Sequence, residues 1–260
     1  MKKSIALLLS TLMLLTASAC SSKDTASDLS YVQDKGILIV GCTDFAPMDY
    51  QENGQWVGFD ADMAKAFAES LGVECQLVEI NWDTKISELD SKSIDVVWNG
   101  MTLTDEAEKS MTCSNAYCNN AQVVVVKSSV ADQYTTAESC ADLSFAVEAG
   151  SAGEEAIAAL GYDYISVTTQ ADALMEVASG TSDACVIDLL MAGAMIGEGT
   201  SYPDLTYTVE LTSEEYGVGF RKGSDLAAAL NDFFAASWAD GTMQTLADTY
   251  GVTAALIPQE

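Results

Sequence analysis

Short apolar runs alternate with helical stretches along nearly the whole chain, and this alternation limits the fold more than any other feature. Ile37–Gly41 (ILIVG), Val73–Ile80, Ile94–Trp98 (IDVVW), Gln122–Val126 (QVVVV), Phe145–Val147, Tyr164–Val167, Ala184–Ile187 (ACVI) and Tyr216–Phe220 read as strands. Most of these runs are apolar without interruption rather than every second residue, which predicts burial on both faces of a parallel sheet. Helices fall between them. Phe59, Met63, Phe67 and Leu71 recur at helical spacing over Asp60–Leu71, with Asp60 as a candidate N-cap and Gly72 as the stop. Further helices are predicted over Ile86–Asp90, Glu154–Leu160, Gln170–Ala178, Leu189–Ile196, Leu226–Trp238 and Met243–Tyr250, with Gly241 separating the last two. The fold class is therefore α/β. Two strand-helix sets in 260 residues predict two α/β lobes. With only 3 prolines and no Gly/Ser-rich tract between the sets, a hinge of extended strands fits better than a flexible linker.

Composition narrows the function. The chain carries 11 basic and 39 acidic residues, a net charge of −28, which repels phosphates and anionic lipid heads and argues against nucleic acid as a partner. Histidine is absent. That removes the commonest general base, the commonest metal ligand and any Ser-His or Cys-His nucleophile pair. No metal and no cofactor are expected.

The first residues read as an address. Lys2 and Lys3 precede an apolar run, Ile5–Leu15, that is too short to span a bilayer. Ala17, Ser18 and Ala19 then lead into Cys20. Residues 1–19 are expected to be a signal peptide and Cys20 a lipidation site, followed by a polar tether over 20–33. Cleavage would leave nine basic against 39 acidic residues, a net charge of −30. The six remaining cysteines, at 42, 75, 113, 118, 140 and 185, match no zinc spacing; several sit in apolar runs, where a buried free thiol is the plain expectation.

Four ordered blocks carry a resemblance. They are Gly41–Pro47 (GCTDFAP) with Gly58–Asp62 (GFDAD); Trp82-Asp83 with Asn99–Glu106 (NGMTLTDE); Ser114–Tyr117 (SNAY) with Ala146–Ser151 (AVEAGS); and Ser182–Asp188 (SDACVID) with Tyr216–Phe220 (YGVGF) and Asp240-Gly241. In this order the set resembles the bacterial extracellular solute-binding proteins of family 3, the polar-amino-acid receptors of ABC importers. The resemblance implies a periplasmic-binding-protein-like fold, two α/β lobes joined by a two-strand hinge, with the ligand cleft between them. It places lobe 1 at 34–121 and 216–260 and lobe 2 at 122–215. The implied partners are an amino-acid-like small molecule, a membrane permease, and the membrane itself through the N-terminal lipid. The implied state is a monomer anchored outside the cytoplasm.

The resemblance also implies site residues. Asp188 would meet the ligand ammonium, together with Gly100 and Thr102 beside Asn99. As a bland alternative, Asp188 could cap the helix that follows it. Gly150, Ser151 and Ala152 would offer helix N–H groups to a carboxylate, or serve only as a cap. Phe45 and Trp82 would pack on the ligand side chain, or lie in the core. Asp44 would read ligand polarity, or fill a turn. One departure stands out: where relatives carry a carboxylate-clamping arginine, this chain has Ala107. Glu148 likewise stands at a position that is often polar or basic. The only arginine is Arg221. Asp44, Glu148 and Asp188 are thus expected to line a cleft lacking any cation, which suits a cationic ligand; the alternative is an ordinary amino acid whose carboxylate is held only by helix N–H groups and Thr102. A dehydratase on the same fold would need basic residues for its anionic substrate, so catalysis is not expected. A sensory receptor is the other alternative.

Overall fold

The computed structural model describes residues 27–260. The expected signal peptide, Cys20 and the start of the tether lie outside the described residues. The tether predicted over 20–33 ends early, because helix α1 (Asp28–Lys35) is already formed there. Ser27 caps it by accepting from the Ser30 N–H at 3.0 Å, and Val32 is fully buried.

The first lobe is built on β1 (Ile37–Cys42), β4 (Glu74–Glu79) and β5 (Val96–Thr102), with the small hairpin β2 (Tyr50–Glu52) and β3 (Gln55–Val57) at its side. Helices α2 (Phe59–Ser70), α3 (Lys85–Asp90) and α4 (Asp105–Ser110) connect these strands and lead to β6 (Thr112–Cys113) and β7 (Cys118–Asn120). The chain then enters the second lobe through β8 (Gln122–Lys127). There β9 (Phe145–Glu148), α5 (Ala152–Leu160), β10 (Tyr164–Val167), α6 (Gln170–Ser179), β11 (Ala184–Asp188), α7 (Leu189–Met195) and β12 (Leu205–Glu210) follow. It returns through β13 (Glu214–Phe220) and closes the first lobe with α8 (Leu226–Asp240) and α9 (Thr242–Tyr250).

Each lobe has its own sheet, in the orders β4-β1-β5-β13-β6 and β10-β9-β11-β8-β12. The expectation of purely parallel sheets needs correction. β1 pairs in parallel with β4 and β5, and β9 with β10 and β11, but β13 runs antiparallel to β5 and β8 antiparallel to β11. The cause is the crossing. β5 ends near the lobe boundary and β13 begins there, so a strand returning from the other lobe must run away from it. The two crossings hold one another: Leu211 N–H donates to the Gln122 carbonyl at 2.8 Å and Gln122 N–H to Thr212 Oγ1 at 2.9 Å.

The core of the first lobe is aromatic. Trp98 meets Phe234 edge-on at 5.7 Å between ring centroids, and Phe234 lies 5.6 Å from Tyr117. Each such ring contributes about 1.5–3 kcal/mol through burial. Asp60, predicted as the N-cap of α2, is instead fully buried inside that helix; Gly58 takes the cap position. Its Oδ2 accepts from the Gly100 N–H at 2.6 Å and the Tyr117 hydroxyl at 2.7 Å, which ties α2 to the end of β5.

Candidate functional site

The ends of β5, β9 and β11 converge on a cavity of about 330 Å³ between the lobes. Strand C-termini in open α/β sheets are where ligands sit, and the volume is within the range of small-molecule sites.

Asp188, the last residue of β11, lies 4% exposed in the cavity wall. Its Oδ1 accepts from Tyr216 Oη at 2.7 Å, Gln122 Nε2 at 3.0 Å and Asn120 Nδ2; its Oδ2 accepts from Gln170 Nε2. Its side chain does not cap α7. Burial, with Glu214 nearby, raises its carboxyl to about 7 despite these donors. Glu214 shares the same donors, accepting at 2.7 Å from Asn120 and from Gln122, and at 2.8 Å from Thr102 Oγ1. Because Thr102 spends its proton on Glu214, its oxygen is left as an acceptor.

Glu148 ends β9 and is 2% exposed, with Oε1 lacking any hydrogen-bond partner. Burial and then Asp188 push its carboxyl up to about 8, offset in part by Lys85. Two buried carboxylates on one wall, one incompletely satisfied, form a pocket short of positive charge.

The floor is Asn99–Gly100. The pairing of β13 to β5 shifts between Gly217 and Gly219, so residues 98–100 leave the ladder and Gly100 takes φ +55°. A Cβ on Gly100 would stand 2.5 Å from the Phe45 ring. Asn99 is locked from behind, its Oδ1 accepting from Thr43 N–H at 3.0 Å and its Nδ2 donating to Asp49 Oδ2 at 2.8 Å. On the far wall Gly150, Ser151 and Ala152 open α5. Ser151 caps the helix, its Oγ accepting from Glu154 N–H at 3.1 Å, and Gly150 has φ +70°.

Of the residues singled out in the sequence, Trp82, Asn99, Gly100, Thr102, Glu148, Gly150, Ser151, Ala152 and Asp188 all line this cavity. Two do not. Phe45 is buried behind the floor, edge-on to Tyr216 at 6.3 Å, and Asp44 is exposed outside the lining. The expectation of a cleft lacking any cation is also corrected, because Lys85 lines it. Lys85 Nζ donates to Gly150 O at 2.8 Å and lies 5.0 Å from the Trp82 ring centroid. A lysine three residues after Trp82 on the same helical face was the available signal. Gln122 and Gln170 were also passed over; both are buried amides at the first position of their element, β8 and α6. Arg221 is buried in the first lobe, bonded to Asp28, Asp95 and the Ile94 carbonyl, and plays no part in the cleft. Ala107 does line it. All six described cysteines are free thiols. No helix among the described residues is long and apolar enough to cross a membrane.

Comparison with known proteins adds three likenesses and one family match. Residues 37–253 match the family described as bacterial extracellular solute-binding proteins, family 3. The chain is 32% identical to the L-cystine-binding protein TcyJ of Escherichia coli (strain K12), covering 85% of each sequence. It is 31% identical to the arginine-binding extracellular protein ArtP of Bacillus subtilis (strain 168), over 89% of this chain and 91% of ArtP. Among solved structures it resembles the ancestral amino acid-binding protein AncCDT-1, a precursor of cyclohexadienyl dehydratase. The TM-score is 0.78 at 32% identity, with 86% of this chain and 99% of that one covered.

Proposed function

Because the chain belongs to the bacterial extracellular solute-binding proteins of family 3, we propose that it is the capture component of an ABC importer for an amino acid carrying net positive charge. Its two lobes shut over the solute and present it to a membrane permease. Cys20, acylated after removal of residues 1–19, anchors it to the cell surface.

The observation that carries the ligand class is the buried pair Glu148 and Asp188 on one cavity wall, with Glu148 Oε1 unpartnered. A cation satisfies both carboxylates at once, and closing the cleft strips the water that otherwise would. The oxygens of Thr102 and Asp188 supply acceptors for an ammonium group. The relatives that bind arginine and cystine are in keeping with an amino acid as cargo. Binding, rather than turnover, is the proposed task. The chain has no histidine, and the charged groups in the cavity wall are five acids and Lys85, which disfavours an anionic substrate.

Isothermal calorimetry with arginine, lysine, histidine, cystine, glutamine and glutamate tests this. The expected result is micromolar or tighter binding of a basic amino acid and none of glutamate. Glutamate binding more tightly than arginine would overturn the ligand class.

A further inference from the structure

We propose that Lys85 receives the carboxylate of the bound amino acid, so that the cleft is polarised, with an anion receptor on α3 and a cation receptor at the end of β11. The proposal rests on the amino-acid reading above and deepens it.

Among the described residues, Lys85 is the only cationic side chain in the cavity wall, against five acidic ones, Glu106, Glu148, Glu154, Glu155 and Asp188. A ligand carboxylate placed at the Asp188 end would face Glu148 and Asp188 across a dry site. At the Lys85 end it meets its one neutralising partner. The lysine is also fixed in place. Nζ donates to Trp82 O at 3.2 Å and to Gly150 O at 2.8 Å, which uses two of its three protons. No hydrogen bond among the described residues takes the third.

Its surroundings hold the carboxylates of Glu148, Glu106, Asp83 and Glu154, which favour its charged form, and neutral donors that an anion can use. Ser151 Oγ accepts from the Glu154 N–H, so the serine hydroxyl proton is available to donate. Behind it, the first-turn N–H groups of the nine-residue helix α5 have no intrahelical acceptors. Glu148 feels both the Asp188 charge and the Lys85 charge, with Oε1 unpartnered and the residue 2% exposed. A zwitterion spanning the cavity therefore meets opposite charge at each end. Ala107 leaves that part of the wall without a charge of its own, so the task falls to α3.

The test compares amino acids with their decarboxylated amines by calorimetry: arginine with agmatine, lysine with cadaverine, cystine with cystamine. The wild-type chain is expected to prefer the amino acid of the pair it binds by about 10- to 100-fold, the range of one charge-assisted contact. Lys85→Met should erase that preference by weakening only the amino acid, and Lys85→Arg should keep most of it, both with apo melting near wild type. Equal weakening of amino acid and amine by Lys85→Met would overturn the proposal and leave Lys85 as a latch on Gly150 O. Unchanged amino-acid affinity in Lys85→Met would overturn it too. If the wild-type chain binds none of the three amino acids, the underlying reading fails first, and this proposal with it.

Discussion

At the scale of single residues, charge placement rather than charge count decides the chemistry. The folded chain holds Asp188 up to about 7 and Glu148 up to about 8, both through burial first. Between roughly pH 4 and pH 8 the native state therefore keeps protons that the unfolded chain has released. Apo stability must fall as pH rises through that window. Thermal melts of the ligand-free protein from pH 5 to pH 8.5 should show this decline, and Glu148→Gln should flatten it. A cationic ligand prefers the ionised wall, so its affinity should rise from pH 6 to pH 8 with proton release. Calorimetry in buffers of differing ionisation enthalpy reads that release. Arg221 offers the contrast. Buried with Asp28 and the fully buried Asp95, it has Nε 3.0 Å from Asp28 Oδ2. Arg221→Met strands Asp28 and leaves Asp95 with Lys35 as its one counter-charge, and should cost about 3–5 kcal/mol in urea denaturation while leaving ligand affinity unchanged. The sequence made Glu148 and Asp188 legible because each ends a short apolar strand at a recognisable block. Lys85 was only partly legible: its spacing from Trp82 pointed to it, but nothing near it along the chain says that the turn between β9 and α5 in the other lobe will bring the Gly150 carbonyl to its ammonium.

Elements were easier to read than their edges. The apolar runs marked eight strands, and the four-residue spacing of Phe59, Met63 and Phe67 marked α2. Misreadings arose where long-range contacts overrode local preference. Asp60 looks like a cap, yet Gly100 and Tyr117 draw its carboxylate into the core. The antiparallel course of β8 and β13 follows from the lobe crossing, which no local pattern encodes. Residues 28–33 look like tether but belong to α1, because Val32 has a core to enter. The turn from β9 into α5 gives the sharpest test at this scale. Gly150 has φ +70°, and an added Cβ would sit 2.8 Å from the Asp83 Cα, backbone that has little room to yield. Gly150→Ala should therefore weaken ligand binding by about tenfold or more, because the clash with Asp83 exists only when the lobes meet, and should separately lower apo stability by about 1–2 kcal/mol through the left-handed backbone itself. Lost apo stability with unchanged affinity would show strain within the second lobe alone.

At the scale of the molecule, two sheets meet across a polar seam. Lys85 to Gly150 and Tyr216 to Asp188 span the cleft, while Gln122 pairs with Leu211 and Thr212 at the crossing. These polar contacts can break and re-form as a reversible closure needs, while one buried apolar cluster takes in residues of both lobes, among them Phe234, Tyr216, Ile187 and Leu174. Small-angle scattering should show a smaller radius of gyration when ligand is added, and no such contraction for Gly150→Ala at the same ligand concentration. The start of the described chain bears on this motion. Ser27 Oγ donates to Asp225 at 2.5 Å and Leu29 N–H donates to the same carboxylate at 2.9 Å, just ahead of α8. Under the proposed anchoring at Cys20, a pull arriving at Ser27 would load the first lobe alone and leave the second free of it.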